Sequence, residues 1–590
     1  MALQKHLLND ADTLVVDSLT GLCAVNNQLA FDPPNKVVYK ATLDRSKVAL
    51  ICGGGSGHEP SHAGFVGEGM LSAAVCGNVF ASPNASQVRR GIDLVENDAG
   101  TLILVKNYTG DILNFGLAAE QYAAEHADKS NKVKFVVVGE DVAVGKTQGG
   151  IVGRRGLAGV VLVYKIAGAL AAQGGSLEEV HDVAQYVASR IGTIGVGLEH
   201  CHVPGTAAPT HSILASEIEI GLGIHNEAGN QRISPIPPLS QLIPQLLDYI
   251  TSTTDPERSF LPFKHDGKDE VVLLVNNLGG LSELELGGVV RAARDELAER
   301  KIVVSRVISG TIMTSLNMPG FSISLVLLPR AEDTQAPKAS FLLSLLDAPA
   351  QTPGWKWSSG APPVTPTPLA PPPHPPAKRA ADATAVSASK PSEFVTAIQR
   401  ACDAVVAAEA EITRMDTIAG DGDCGLTLKS GAQAVQKAVA AKNITGTDLV
   451  GDLLAVAKVA ETDMGGTSGA LYSIFFSALA QGVQGAAGGQ LTTATPELWA
   501  TALTSALKKL YTYTRARPPS RTLVDPLAAF VESYDKGFSE AVKAAAAAAE
   551  HTKDVDAKAG RSAYVDSALL TREKVADPGA WGVKTILEAI

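Results

Sequence analysis

Between positions 349 and 376 the chain places eleven of its 32 prolines, in PAQTPGWKWSSGAPPVTPTPLAPPPHPP. Each proline fixes φ and removes a backbone donor, so a run this dense sustains neither helix nor sheet and reads as an extended linker. A chain of 590 residues is too long for one hydrophobic core, and this stretch parts two segments of different texture. Before it, short β-rich runs such as KVALIC (47–52), TLILV (101–105), VKFVVV (133–138), EVVLLVN (270–276) and FSISLVLL (321–328) alternate with helical stretches. That alternation predicts an α/β domain over 1–346, in two lobes with a break near ISPIPPLSQLIP (233–244). The linker is set at 347–391. Beyond it, Phe394, Ile398, Ala401, Val405, Ala408, Ile412 and Met415 recur at steps of three and four, and AVKAAAAAAEHTKD (541–554) continues the pattern. An all-α domain over 392–590 is expected.

The formal net charge of −11 argues against a nucleic-acid binder, because a phosphate backbone needs a basic surface. Six cysteines stand apart without a C-x-x-C pair, which speaks against a disulfide framework and a zinc ribbon and for a reducing compartment. The first residues lack an apolar core of signal-peptide length, and the sequence has no run of about 18 apolar residues. The reading is a cytoplasmic protein with no membrane partner that works on small molecules.

TIAGDGDCGLTL (417–428) has the spacing G-x-G-x-x-G, but Asp421 and Asp423 sit among its glycines. Carboxylates there would repel a pyrophosphate unless a metal intervened. With Asp416 they make three acids within eight positions at the end of an amphipathic stretch. Such a cluster suits a hard cation like Mg²⁺, whose remaining positions take water and nucleotide phosphates. A second run, DMGGTSGALY (463–472), sets Gly466, Thr467 and Ser468 before an apolar helix, an anion site at a helix N-terminus. GEDVAVGKT (139–147) is set aside as a Walker A loop, since five residues separate its glycines where that motif has four.

In the first domain, KVALIC runs into GGGSGHEPSHAGF (53–65), and ligand sites of α/β sheets lie at strand carboxyl ends. His58 falls there, and Lys106 and Asp111 of LVKNYTGDILNF hold the matching place after another strand. His225, in EIEIGLGIHNEAG, follows a glycine-punctuated alternating run and has the chemistry of a base, a ligand or a nucleophile. His200 and His202 in LEHCHVPG are two histidines only, too few for a structural zinc.

These motifs, together with NNLGGLSELELG, MTSLNMPGFS and DPGA, give the chain a resemblance to the ATP-dependent dihydroxyacetone kinases of the single-chain type, the triokinase/FMN cyclase family. The resemblance spans nearly everything but the linker. It implies a two-lobed α/β substrate domain followed by an all-α helical-barrel nucleotide domain, ATP and Mg²⁺ as cofactors, and a homodimer. It implies a covalent hemiaminal between His225 and the substrate carbonyl, which admits dihydroxyacetone and glyceraldehyde and refuses glycerol. Gly55, Ser56, Gly57, His58 and Lys106 become substrate contacts, His58 and Asp111 join His225 as catalytic groups, and Asp111 is the general base. Asp416, Asp421 and Asp423 become Mg²⁺ ligands. Asp423, Cys424, Gly425, Gly466, Thr467, Ser468, Arg521, Thr522, Asp577, Pro578 and Gly579 become nucleotide contacts. Leu426, Pro519, Ser520 and Pro526 depart from the family's usual residues. Three other readings stay open: an FAD-AMP lyase that forms cyclic FMN, a non-catalytic regulatory protein, and a form that takes phosphate from a separate phosphoprotein.

Overall fold

The computed structural model describes residues 5–126, 132–207, 212–364, 386–488 and 492–590. The chain divides into two compact units, Met1–Thr367 and Pro368–Ile590.

The first unit holds two six-stranded sheets. One contains β1 (Leu29–Asp32), β2 (Val37–Lys40), β3 (Ala49–Ser56), β4 (Ala73–Val79), β5 (Thr101–Lys106) and β6 (Val133–Val138), in the order β1-β2-β4-β3-β5-β6. Its last four strands pair in parallel. Every residue of β3 and β5 is buried, which is why their sequences are nearly continuous apolar runs. Ile51, Ile103 and Val105 face the helices Ala85–Leu94 and Thr109–Glu125, while Leu50, Cys52, Leu102 and Leu104 belong to the core around the helix Val160–Ala172. That helix is buried at twelve successive positions, 160–171, and the one charged residue among them, Lys165, donates to the Leu345 carbonyl at 2.7 Å.

The second sheet contains β7 (Ile191–Gly197), β8 (Ile218–Ile220), β9 (Gln231–Ile233), β10 (Glu270–Asn277), β11 (Val303–Gly310) and β12 (Gly320–Leu327), in the order β11-β10-β12-β7-β8-β9. The change of sheet therefore falls between β6 and β7, and the predicted break at 233–244 is corrected. Strands on both sides of it share one sheet because β7 pairs with β12. Pro235, Pro237 and Pro238 follow an edge strand and lead into the helix Leu239–Thr251, where a missing backbone donor costs little, and Pro244 lies inside that helix.

The linker reading needs a similar correction at its near end. Gln351 bridges to Glu68, the Gly354 amide donates to the Gly64 carbonyl at 2.7 Å, and Trp355 packs against the core. A Cβ at Gly67 would stand 2.1 Å from the Gln351 carbonyl oxygen, so glycine is what lets the two backbones meet. Density of proline does not exclude docking where the non-proline residues between, Gln351 and Gly354, keep amides to donate to the carbonyls of the partner loop. At the far end, Val386–Ser387 pairs in parallel with Thr492–Thr493, a short ladder in the otherwise helical second unit. Positions 365–385 of the predicted linker lie outside the described residues.

The second unit begins with the 29-residue helix Pro391–Ala419, with proline in its first turn where its lost donor is not needed. Ala401, Val405, Ile412 and Met415 are buried along it, on the stripe predicted from sequence. The alanine run forms the helix Phe538–His551, with Ala541, Ala545 and Ala549 wholly buried at steps of four. Phe394, Tyr472, Phe476 and Trp499 help to line an apolar cavity of about 250 Å³ among the helices. Among the described residues no helix is long and apolar enough to cross a membrane.

Candidate active site

In the first unit, β3 delivers the glycine-rich turn, β5 ends at Lys106, and Asp111 lies in the first turn of the helix that follows. Gly54 has a φ of +148°, and a Cβ there would lie 3.2 Å from Asp111 Oδ2 and 3.4 Å from His62 Nε2. A bare backbone is what lets the carboxylate approach the strand end. Lys106, Asp111 and His58 are all buried. Ser82 donates to Asp111 Oδ1. Burial raises the Asp111 carboxyl, while Lys106, Ser82 and His225 work the other way. Burial likewise lowers the Lys106 ammonium, against the pull of Asp111.

His225 arrives from the other sheet, in the loop after β8, and its Nε2 lies 3.1 Å from His58 Nε2. Carbonyl oxygens only accept, so His58 Nδ1, 2.8 Å from the Thr314 oxygen, carries a proton. Glu227 Oε1 lies 2.9 Å from His225 Nδ1, and its Oε2 accepts from the His225 amide. Burial opposes the Glu227 charge, but the hydrogen bonds and charge of His225 bring it down to about 2, so it too is an acceptor. His225 Nδ1 is thereby the donor, and the two Nε2 atoms share one proton. Burial, then Lys106, holds His58 well below the usual imidazole range. The rings of His58, Phe80 and Tyr108 each stand 4.9 Å from that of His225, edge to face.

The structure therefore brings His58 into contact with His225, and sets Lys106 and Asp111, both buried, within reach of each other's charge. Ser56 is placed otherwise: its hydroxyl donates to the Gly77 carbonyl at 2.9 Å. Gly55 continues the turn, and the Gly57 amide donates to the Glu59 carboxylate at 3.1 Å. Sequence reading missed Glu227, Ser82, Phe80, Tyr108 and the Thr314 carbonyl. Only Glu227 left a signal, two positions from His225. His202 contacts His6 at 2.8 Å and the Thr206 carbonyl, and Thr147 of the discarded Walker-like loop bonds Glu257.

In the second unit, Asp416, Asp421 and Asp423 bring carboxylate oxygens within 4.8 Å of one another. Asp416 is buried, and its Oδ2 accepts from the amides of Asp423 and Cys424, both at 2.9 Å, so the end of one helix is tied to the start of the next. Asp421 and Asp423 are exposed. A Cβ at Gly420 would fall 2.3 Å from Asp416 Oδ1, so the turn closes only around glycine. Three oxygens from a loop, two of them facing water, fit a hard cation that keeps positions for phosphate oxygens. Asp577 caps the helix Pro578–Ala589 by accepting from Ala580, and burial raises its carboxyl to about 7. Cys424 feels the charges of Asp416, Asp577, Asp423 and Asp421, which puts the acidic loop and the DPGA turn (577–580) side by side.

Arg521 is fully buried, donates to the Val575 carbonyl at 2.8 Å, and faces Asp577. Ser520 and Thr522 wrap the Asp525 carboxylate with both amides and both hydroxyls, so the unusual Ser520 is built into the turn. Gly466, Thr467 and Ser468 open the helix Gly466–Ala486, whose Tyr472 faces Cys424 and Asp577. Leu426 is exposed.

A Dak1 domain model matches residues 20–354 and a DAK2 domain model matches residues 418–590. The chain is 42% identical to the dihydroxyacetone kinase of Pichia angusta, covering 99% of this chain and 97% of that one. It is 38% identical to the triokinase/FMN cyclase of Homo sapiens, covering 99% and 98%. The dihydroxyacetone kinase of C. freundii superposes with a TM-score of 0.62 at 29% identity, over 100% of this chain and 99% of that one. It gives the same values as a complex with AMP-PNP and Mg²⁺.

Proposed function

The chain belongs to the dihydroxyacetone kinase family, and from that premise we propose that it moves the γ-phosphoryl group of ATP to dihydroxyacetone, and to glyceraldehyde, through a hemiaminal on His225. The observation that carries this reading is the His58–His225–Glu227 contact, which leaves one proton between two imidazoles beside a buried acid and a buried cation. As the carbonyl arrives, His58 takes the proton from His225 Nε2. The freed lone pair forms the C–N bond, the π electrons move to the carbonyl oxygen, and that oxygen takes the proton from His58. The alkylated His225 ring keeps its positive charge against Glu227, so the charge balance is unchanged.

The adduct holds the terminal hydroxyl for Asp111, which takes its proton as the oxygen attacks the γ-phosphorus and ADP leaves. Lys106 holds the region positive. Asp416, Asp421 and Asp423 would hold Mg²⁺, which neutralises phosphate charge when bound. The nucleotide would lie over Cys424, Gly425, Gly466, Thr467, Ser468, Arg521, Thr522, Asp577, Pro578 and Gly579. Their helices are read as closing into a barrel, and the working protein as a cytoplasmic homodimer. The domains are read as 1–346 and 392–590, with the linker at 347–391 between them.

The test is to incubate the protein with Mg-ATP and either dihydroxyacetone or glyceraldehyde and identify the phosphorylated product. His225→Ala is expected to lose covalent retention of dihydroxyacetone; a crystal of the wild type with the ketone bound away from His225 defeats the hemiaminal. The identity to triokinase/FMN cyclases favours a second activity at the acidic loop, the splitting of FAD into AMP and cyclic FMN. Incubation with FAD and a divalent cation tests it, and loss on Asp423→Ala would assign it to that loop.

A further inference from the structure

The start of MTSLNMPGFS, between β11 and β12, reaches both loops that carry the site's imidazoles through two consecutive residues. Thr314 pairs with His58 twice: its amide donates to the His58 carbonyl at 3.1 Å, and its own carbonyl accepts from His58 Nδ1 at 2.8 Å. Ser315 meets the other loop. Its hydroxyl lies 2.5 Å from the carbonyl oxygen of Ile224, the residue directly before His225. With the 3.1 Å contact between the two Nε2 atoms a ring closes, from His58 through Thr314, Ser315, Ile224 and His225 back to His58.

We propose that Ser315 is a positioning residue for His225: its hydroxyl fixes the turn that carries the ring, so that Nε2 meets the substrate carbonyl at a set distance from His58. The inference rests on the reading of His225 as the group that bonds that carbonyl.

The turn is braced from within but needs an outside reference. The Gly223 amide donates to the Glu227 carbonyl at 2.8 Å, and the Glu227 carboxylate holds the His225 amide and Nδ1. Those bonds set the ring against its own backbone and leave its distance from His58 open. Other bonds leave the turn: from Arg155 to the Gly221 carbonyl, between the Asn226 side chain and the Cys201 backbone, and from Ser315 to Ile224. Of these, that of Ser315 comes from the chain neighbour of the residue that holds His58. Consecutive Cα atoms lie about 3.8 Å apart, so both rings are measured from one peptide unit. That unit is anchored at the end of β10, where Asn276 Oδ1 accepts from the Ile312 and Met313 amides and the Ser315 amide donates to the Leu278 carbonyl at 2.9 Å.

The hydroxyl has one proton, and its neighbours decide where it points. The Ile224 oxygen only accepts, so the proton lies there, and the Cys201 thiol, 3.3 Å from Ser315 Oγ, donates to the hydroxyl oxygen from the other side. Burial raises that thiol, with Ser315 and Asn226 opposing, so it keeps its proton. Ser315 is wholly buried, and Cys201, Ile224 and Thr314 are buried around it, so bulk water does not stand in for a lost hydroxyl.

Ser315→Ala, Ser315→Cys, His58→Ala and the double variant of Ser315→Ala with His58→Ala are compared with the wild-type full chain, under a thiol reductant, in steady-state kinetics with dihydroxyacetone and Mg-ATP. Without the hydroxyl the turn shifts, and kcat/KM for dihydroxyacetone is expected to fall about 10- to 100-fold in Ser315→Ala, with KM for Mg-ATP unmoved. Ser315→Cys, of nearly the same shape with a weaker donor, is expected to lie between the wild type and Ser315→Ala. In the His58→Ala background the ring to be matched is gone, so Ser315→Ala is expected to cost no more than about 2-fold further. A hydroxyl that served only the stability of the fold would cost the same factor in both backgrounds, and that outcome overturns the proposal. So does an unmoved kcat/KM in Ser315→Ala. If Ser315→Ala does not fold, Ser315→Cys carries both comparisons, and an unmoved kcat/KM there is equally fatal. His225→Ala separates the two readings. Near-normal kcat/KM there removes the bonding group and the inference with it, whereas collapse there with an unaffected Ser315→Ala removes the inference alone.

Discussion

The pocket at the end of β3 and the loop at 416–425 both gather titratable side chains, but by opposite means. In the first, His58, Lys106 and Asp111 are buried, and the His58 ring and the Asp111 carboxylate are each held by a hydrogen bond to the protein. In the second, only Asp416 is buried, pinned by two amides, and Asp421 and Asp423 stand in solvent. A group that forms a bond to substrate must be desolvated and oriented before substrate arrives. A group that holds a cation needs only to keep its charge and leave room. The substrate pocket is therefore tied into the fold, while the two exposed acids of the loop can be changed almost without touching stability.

The largest break in that contrast comes from removing the divalent cation with a chelator. Turnover is expected to fall by about 10³-fold or more, while crystallographic retention of dihydroxyacetone at His225 continues. Retention lost with the cation would mean that the two sites are not independent. Next, Asp423→Ala is expected to lower kcat about 10²-fold while a urea midpoint shifts by no more than about 0.5 kcal/mol in stability, because the side chain is exposed. A large stability loss would place it on the buried side of the comparison.

Gly420→Ala sharpens the contrast at the one buried member of the loop. Its Cβ would fall 2.3 Å from Asp416 Oδ1, so the pinned carboxylate must move. A stability loss of about 1–3 kcal/mol and a roughly tenfold drop in kcat are expected, read by urea unfolding and steady-state kinetics. The smallest effect on turnover is expected from Glu140→Gln. Glu140 is wholly buried with Oε2 unpartnered among the described residues, and burial raises it from 4.5 to about 7, with Arg154 opposing and Asp141 adding to the rise. The folded state thus binds its proton more tightly than the unfolded one. Its stabilisation is complete below 4.5 and is lost as pH climbs to about 7. Over that window the wild type is expected to lose on the order of 1–3 kcal/mol that the variant does not, measured by urea unfolding at each pH. Equal slopes would show that burial in this unit is less demanding than described.

What could be read from sequence follows the same division. The acidic loop was legible with its three acids and its glycines, since all its parts lie within ten positions of one another. The strand ends bearing His58, Lys106 and Asp111 were legible for the same local reason. The partner that fixes His58 was not: it is a main-chain oxygen 256 positions away, and a carbonyl leaves no trace in residue identity. The lobe boundary was misplaced because proline runs mark the ends of elements, whereas sheet membership depends on which distant strand accepts β7. The docking of Trp355 was hidden by its neighbours' composition.

That docking decides where the gene should be cut. A fragment ending with the helix Ala339–Asp347 would look complete by its secondary structure, yet it would strip the cover from the Gly64–Gly67 turn, which lies directly after His62 in the chain. Pro353 shares a pocket with Gly54, Gly55, Ser56 and His62, so the missing tail would open the back wall of the substrate site to water. A separately expressed first half that stops at 347 and proves inactive would say nothing about the need for the second half. One that runs to 364 carries its own wall.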